Sequence, residues 1–211
     1  MFLGEQALHL SKTSGSVRLS VGSAGHCLRD WLCTERASLD LFTMKDWTVF
    51  RRTGIDIVFS EHVLEHMTPL QVRKIAALAF LFVKPGGRVR TAVPDGYRPD
   101  PEYQRYVQAG GTPSGSGQNH MAVWTKDTLP PLFEDVGFSI IHLEHWNLNG
   151  LFFQNATAYD RENEFGKIDR SQKNDARNLD GSRRFRNLRG YFSLWFDVVK
   201  PLDCPLWNMS T

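Results

Sequence analysis

Long apolar runs are missing from this chain: nothing in its 211 residues approaches the roughly 18 consecutive apolar residues that a membrane-crossing helix needs. The opening residues, Met1-Phe2-Leu3-Gly4-Glu5, hold no basic segment followed by an apolar one, which argues against a secretory leader. Cysteine is scarce. Cys27, Cys33 and Cys204 form no CxxC pair, and their odd number argues against a disulfide framework. Cytoplasmic residence is the resulting expectation. A dominant charge sign is also absent, because 25 Lys and Arg face 23 Asp and Glu; the formal charge of +2 gives no global pull toward nucleic acid or membrane. No internal repeat is visible. What remains, 41% hydrophobic and 23% charged residues, fits a globular protein long enough for one domain with a sizeable core.

The pattern along the chain is that of strands alternating with helices. Val17-Arg18-Leu19-Ser20-Val21 alternates apolar and polar residues and runs into the small-residue turn Gly22-Ser23-Ala24-Gly25. Asp30 to Glu35 reads as a second strand ending in an acid, and Ala37 to Phe42 as a short apolar piece carrying Asp40. Ile55 to Phe59 is nearly unbroken apolar sequence, as expected of a strand covered on both faces. Thr68-Pro69-Leu70-Gln71 fits a capping box with proline at the first helical position, and Leu70, Ile75, Leu78, Leu81 and Phe82 supply an apolar helix face. Lys84-Pro85-Gly86-Gly87 stops that helix and feeds a strand from Arg88 to Val93, making a βαβ unit.

Beyond it, residues 96–120 are rich in Pro, Gly and Ser and carry Tyr97, Tyr103 and Tyr106, as a flexible lid or substrate loop would. Thr128 can cap a short helix over 129–136, closed by Gly137. Phe138 to Leu143 and Tyr191 to Val199 read as the last strands, separated by a polar, basic insertion over 159–190. Residues 1–16 form an N-terminal arm. The Arg-rich stretch with Arg177, Arg183, Arg184, Arg186 and Arg189 could hold phosphate, or pair with its own Asp175 and Asp180 as a solvated loop.

Several residues carry chemistry. The Gly22–Gly25 turn could let a ligand approach the backbone, although Ala24 and Cys27 break the GxGxxG dinucleotide fingerprint. Glu35, at a strand end, is placed to accept from ribose hydroxyls. His62-Val63-Leu64-Glu65-His66 matches HxxEH, the inverted zinc-protease motif, and on a helix His62 and His66 would share one face. A catalytic zinc needs a third protein ligand, and no suitably placed Glu-rich helix follows. The local alternative is a helix start at which a histidine bonds its neighbours, and no metal is expected. His120, near Trp124 and downstream of the loop, reads as a substrate contact or base.

In this order the pieces resemble a class I S-adenosylmethionine-dependent methyltransferase, from about Val17 to Val199. The carriers are Ile55-Asp56-Ile57-Val58-Phe59-Ser60-Glu61-His62-Val63-Leu64-Glu65-His66 and Lys84-Pro85-Gly86-Gly87-Arg88-Val89-Arg90. Within the family the chain looks closest to small predicted methyltransferases with EHVLEH and KPGG…VPD motifs, whose first interstrand helix is shortened. The resemblance implies an α/β fold: one domain over 1–211, with a doubly wound, Rossmann-like, mostly parallel sheet and helices on both faces. It implies S-adenosyl-L-methionine as cofactor, with Gly22, Ser23 and Gly25 under its methionine part, Glu35 on the ribose, Asp40 near the adenine, and Ser60, Glu61 and His62 facing the methyl group. Ser20 and Ala24 depart from the family's usual acid and glycine.

Under this reading the enzyme aligns an O- or N-nucleophile with the methyl group and removes its proton. His120, His62 and Glu61 are the expected catalytic residues, with Asp95, Tyr97 and Trp124 toward a substrate that is a small molecule, nucleic acid staying open. A non-catalytic cofactor-binding or scaffold protein of the same fold is the alternative. A zinc hydrolase using His62, Glu65 and His66 comes third. Acceptor and oligomeric state are not written in the sequence.

Overall fold

Strand β1 (Arg18–Val21) turns Leu19 and Val21 into the interior, as its alternation requires. The chain is described by a computed structural model over residues 2–25, 27, 29–110, 119–155 and 193–204. The basic insertion of 159–190, with its arginines, and residues 111–118 of the expected lid lie outside those residues. β1 is followed by β2 (Leu32–Thr34), β3 (Ile55–Glu61), β4 (Val83–Pro94), β5 (Ser139–Trp146), β6 (Phe152–Gln154) and β7 (Ser193–Val199), which form one sheet in the order β2-β1-β3-β4-β7-β5-β6. The first four in that order run parallel. β7 is inserted antiparallel between β4 and β5, so β5 keeps the common direction, and β6 closes the edge antiparallel to β5. This is an α/β, Rossmann-like, mostly parallel sheet.

The helices are α1 (Leu3–Thr13), α2 (Met44–Trp47), α3 (Pro69–Phe82), α4 (Pro101–Val107) and α5 (Pro130–Glu134). α3 forms as its capping box dictates: Gln71 N donates to Thr68 Oγ1 at 3.3 Å and Thr68 N donates to Gln71 Oε1 at 2.8 Å. Its buried stripe is Val72, Ile75, Ala76, Leu78, Ala79 and Phe82, each large member contributing about 1.5–3 kcal/mol by burial. Leu70 and Leu81, expected on that face, are exposed. The residues of the expected N-terminal arm hold α1, which sets Ala7 into the core. The 129–136 helix is shorter than expected and Thr128 does not cap it; the Thr128 hydroxyl accepts instead from Thr125 N.

Lys84-Pro85-Gly86-Gly87 does more than stop α3. Ile55 pairs with Val83 but Ile57 with Arg88, so the four residues bulge out of β4. Gly87 has no room for a side chain, because a Cβ there would lie 2.8 Å from Asp56 O. Lys84 Nζ reaches back to Asp56, whose other contact is the Val17 amide.

Two apolar clusters follow from the alternation. Ala7, Trp47, Val72, Phe82 and Phe133 from the helices pack with Leu19, Val58, Val89 and Phe196 on one face. The other face gathers Trp31, Ile57, Phe59, Ala92, Leu143 and Trp195, and on this face β4 and β7 carry Arg88, Arg90 and Asp197 (Arg90 opposite Asp197). Cys27 and Cys33 are joined by a disulfide that staples the turn between β1 and β2. A single local bridge that leaves Cys204 over is consistent with an odd cysteine count that argues against a disulfide framework. No described helix is long and apolar enough to cross a membrane.

Candidate functional site

The strand order reverses between β1 and β3: β2 lies on one side of β1, and β3 and β4 lie on the other. In an open α/β sheet the crevice at such a point, beyond the carboxyl ends of the strands, is where ligands bind. Val21 stands level with Thr34 of β2 and Ser60 of β3, so the Gly22 turn, Glu35 and the Ser60–His62 corner share one edge. Gly22 has φ +59°, and a Cβ there would lie 2.7 Å from Val63 Cγ2. Gly25 has φ +83° with open space where a side chain would stand. Ala24 has φ +48°, a left-handed conformation that costs an alanine about 1–2 kcal/mol. The departure from glycine at Ala24 is therefore a strained one. Across the turn the Ser23 hydroxyl donates to Glu35 Oε1 at 2.9 Å, and Glu35 is exposed. Among the described residues, no helix separates β1 from β2, in keeping with the short interval.

At the end of β3, Ser60 is buried with its hydroxyl 2.7 Å from that of Thr91. Glu61 is half-buried. His62 has φ +56°, and its amide donates to Ala92 O at 2.9 Å. It therefore precedes a 3₁₀ turn, Leu64–His66, and does not share a helix face with His66. The zinc set that the HxxEH motif alone would suggest, His62, Glu65 and His66, is not assembled. Instead the His62 ring spans two partners, Glu65 Oε1 at 2.9 Å from Nδ1 and Ser193 Oγ at 3.2 Å from Nε2. This acid–imidazole–hydroxyl line resembles a hydrolytic triad in outline, but Ser193 is wholly buried between strands, so its hydroxyl orients the ring. Burial works against ionisation of Glu65; the His62 hydrogen bond and charge outweigh it and leave the carboxyl below its usual range.

The residues expected to meet a substrate are placed variously. Trp124 is buried in the main core, its indole N–H donating to Leu64 O at 2.9 Å. Asp95 is buried too, accepting from Tyr97 N at 2.9 Å and Trp146 N at 2.8 Å. Each holds neighbouring backbone in place through these buried hydrogen bonds. Tyr97 is half-buried, and after Lys126 it helps hold the Asp127 carboxyl below its usual range. Asp40, half-buried, accepts from Phe42 N and closes a turn while its amide donates to Asp46. His120 is buried, donates from Nδ1 to Val107 O at 2.8 Å, and lies 4.0 Å from Glu65 Oε1 through Nε2.

Asp95 offers a pH test. Burial raises its pKa to about 6, against the opposing pull of two amide bonds and Arg98. A carboxyl raised on folding binds its proton more tightly in the native state, so stability grows as pH falls through about 6 toward the unfolded value. Wild-type protein should thus gain stability relative to Asp95→Asn between pH 7 and pH 4.5, read from urea midpoints (about 1–2 kcal/mol). A constant gap across that range would mean that Asp95 does not titrate there.

Sequence reasoning missed one grouping. Glu65, His66 and His120 place their donor atoms all within 4.8 Å of one another. The HxxEH motif pointed to two of the three. The partner that completes the set is fifty residues away and no spacing rule reaches it.

Neither a family model nor a curated protein matches this chain. Among solved structures, a S-adenosylmethionine-dependent methyltransferase from Archaeoglobus fulgidus aligns with a TM-score of 0.50 and 14% identity, over 94% of this chain and 92% of that one. An O-methyltransferase family protein from Burkholderia thailandensis aligns at 0.46 and 11%, over 83% of this chain. The methyltransferase SibL aligns at 0.45 and 14%, over 92% of this chain. This chain spans only 37% and 47% of the lengths of those two proteins. The Archaeoglobus alignment runs through nearly all of both chains, and what the two share is the α/β, Rossmann-like fold.

Proposed function

We propose that this chain transfers the methyl group of S-adenosylmethionine to an oxygen or nitrogen nucleophile, most simply on a small molecule. The observation that carries the reading is the edge at the switch point, where the positive-φ Gly22–Gly25 turn and the exposed Glu35 stand beside the Ser60–His62 corner. These residues fit the cofactor. The turn offers backbone without side chains at Gly22 and Gly25, and Glu35 offers paired acceptors to ribose hydroxyls once Ser23 yields its bond. When bound, the sulfonium supplies an electrophilic methyl group. The chain then has two tasks: to align the acceptor in line with it and to take the acceptor's proton. His62 and Glu61 lie at the corner where that proton leaves. Glu65 fixes the His62 ring through Nδ1, and because Ser193 Oγ shares Nε2, the ring takes the acceptor's proton there only as that hydroxyl turns away.

A non-catalytic protein of the same fold is the competing reading, favoured by the strain at Ala24. A titration with S-adenosylhomocysteine separates the two. Saturation at about 100 times Kd is expected to stabilise the chain by about 2.7 kcal/mol, or roughly 5–10 °C in melting temperature. Glu35→Ala should weaken binding about tenfold or more by removing a charged acceptor. A chain whose melting temperature ignores the ligand, with no heat of binding, would sink the methyltransferase reading.

A further inference from the structure

We propose that Glu65, His66 and His120 form a binding site for a divalent transition-metal ion of the zinc type. The three donors come from two segments. The 3₁₀ turn after β3 carries Glu65 and His66, and the segment ahead of α5 carries His120. The two segments are already bound together: Met121 N and Ala122 N donate to Glu65 O, and Trp124 Nε1 donates to Leu64 O.

Each histidine is prepared as a ligand. His66 Nδ1 meets Asn119 O at 3.1 Å and His120 Nδ1 meets Val107 O at 2.8 Å. A backbone carbonyl only accepts, so Nδ1 carries the hydrogen in both rings. In the neutral imidazole that leaves the Nε2 lone pair for a metal, the arrangement by which protein surroundings fix a ligating histidine. The two rings stand edge to face with centroids 5.1 Å apart.

The carboxylate supplies a second, independent sign. Glu65 is 2% exposed, its Oε1 is taken by His62, and no hydrogen-bond donor reaches Oε2. A buried carboxylate oxygen without a donor costs about 1–3 kcal/mol or more, and a cation removes that cost. A zinc ion with bonds of about 2.0–2.2 Å draws its donors to roughly 3.3 Å apart. His120 Nε2 begins 4.0 Å from Glu65 Oε1, and the donor atoms of all three residues already lie within 4.8 Å of one another. Three protein ligands on a site with one exposed side leave a position for water or for an oxygen or nitrogen donor of a ligand. The site is distinct from the cofactor turn and touches the methyl corner only through the Glu65–His62 bond.

The test uses the full chain without a histidine tag, freed of metal and titrated with zinc against a competing chelating dye. One zinc per chain should bind and raise the melting temperature, and cobalt added to the metal-free protein in its place should give the visible bands of a low-coordinate site. His66→Ala, at the surface, should weaken zinc by more than about 100-fold while leaving the metal-free melting temperature unchanged, since even supporting groups of metal sites cost 10–100-fold. His120→Ala should do the same to zinc binding. Wild-type protein that takes up no zinc would overturn the proposal, as would His66→Ala and His120→Ala proteins that retain it in full. S-adenosylhomocysteine binding is measured separately, so failure of the metal site leaves the methyltransferase reading standing and the reverse.

Discussion

Asp197→Ala is expected to destabilise the chain by about 3–5 kcal/mol, the largest loss from any single surface-remote side chain considered in this fold. Asp197 sits on β7 directly opposite Arg90 on β4. Its Oδ1 accepts from Arg90 Nε at 2.7 Å and its Oδ2 from Arg90 Nη2 at 2.9 Å, while Arg88 Nη1 donates to Oδ2 at 3.0 Å. Both Arg90 and Asp197 are 1% exposed, and the Arg90 guanidinium also stands 5.2 Å from the Trp195 ring centroid. Removing the carboxylate takes from a buried guanidinium the two hydrogen bonds and the charge that Asp197 supplies, and the desolvation already incurred is not returned. Replacing both partners with apolar residues of similar volume, Arg90→Met with Asp197→Leu, should recover most of the loss, because neither charge is then desolvated. Urea unfolding of the three proteins checks this, with the slope of the transition held constant. The effect should resist added salt, since ions do not reach a pair buried in the sheet. A loss under 1 kcal/mol for Asp197→Ala would mean that water reaches this face.

That ion pair also marks where sequence reading stops. β1, β3 and α3 were legible because their signals are local: alternation in Arg18–Val21, an apolar run in Ile55–Phe59, and a capping box at Thr68. Arg90 and Asp197 are 107 residues apart, and nothing in either neighbourhood announces the other. α4 escaped for a different reason. Asp100 caps it and Pro101 opens it, signals that are present but sit inside a Pro- and Gly-rich stretch that reads as loop. The positive φ of His62 was invisible because histidine rarely adopts it, so the HxxEH motif read as one helix when it is a turn followed by a 3₁₀ segment. Asp95 stands out in the sequence by its place at a strand end and Trp124 by its nearness to His120. Their burial is not legible there, because it depends on the tertiary partners Trp146 and Leu64. The turn at Gly22 and the acid at Glu35 needed only sequence order, because parallel neighbours at a switch point bring their ends together by topology.

The turn therefore carries the sharpest functional prediction: Gly22→Val should abolish measurable binding of S-adenosylhomocysteine. Gly22 holds φ +59°, which a β-branched residue adopts only at a cost above the 1–2 kcal/mol that alanine meets. The added Cβ would also stand 2.7 Å from Val63 Cγ2, a side chain whose own β-branch leaves it few rotamers into which to retreat. Relief requires the turn to move, and it follows a strand pinned between β2 and β3, so the displacement falls on Ser23–Gly25. Those residues, with the Ser23–Glu35 bond, are the ones a cofactor would use. Calorimetry should show a fall in affinity of at least about 100-fold, equivalent to about 2.7 kcal/mol. Urea unfolding should show a smaller loss, about 1–3 kcal/mol, because overpacking at an exposed turn leaves the core intact. Gly25→Ala separates backbone strain from steric clash, having φ +83° and open space around its Cβ. It should cost binding less than Gly22→Val does. Undiminished binding in Gly22→Val would move the cofactor away from this edge and leave the glycine turn a purely structural feature.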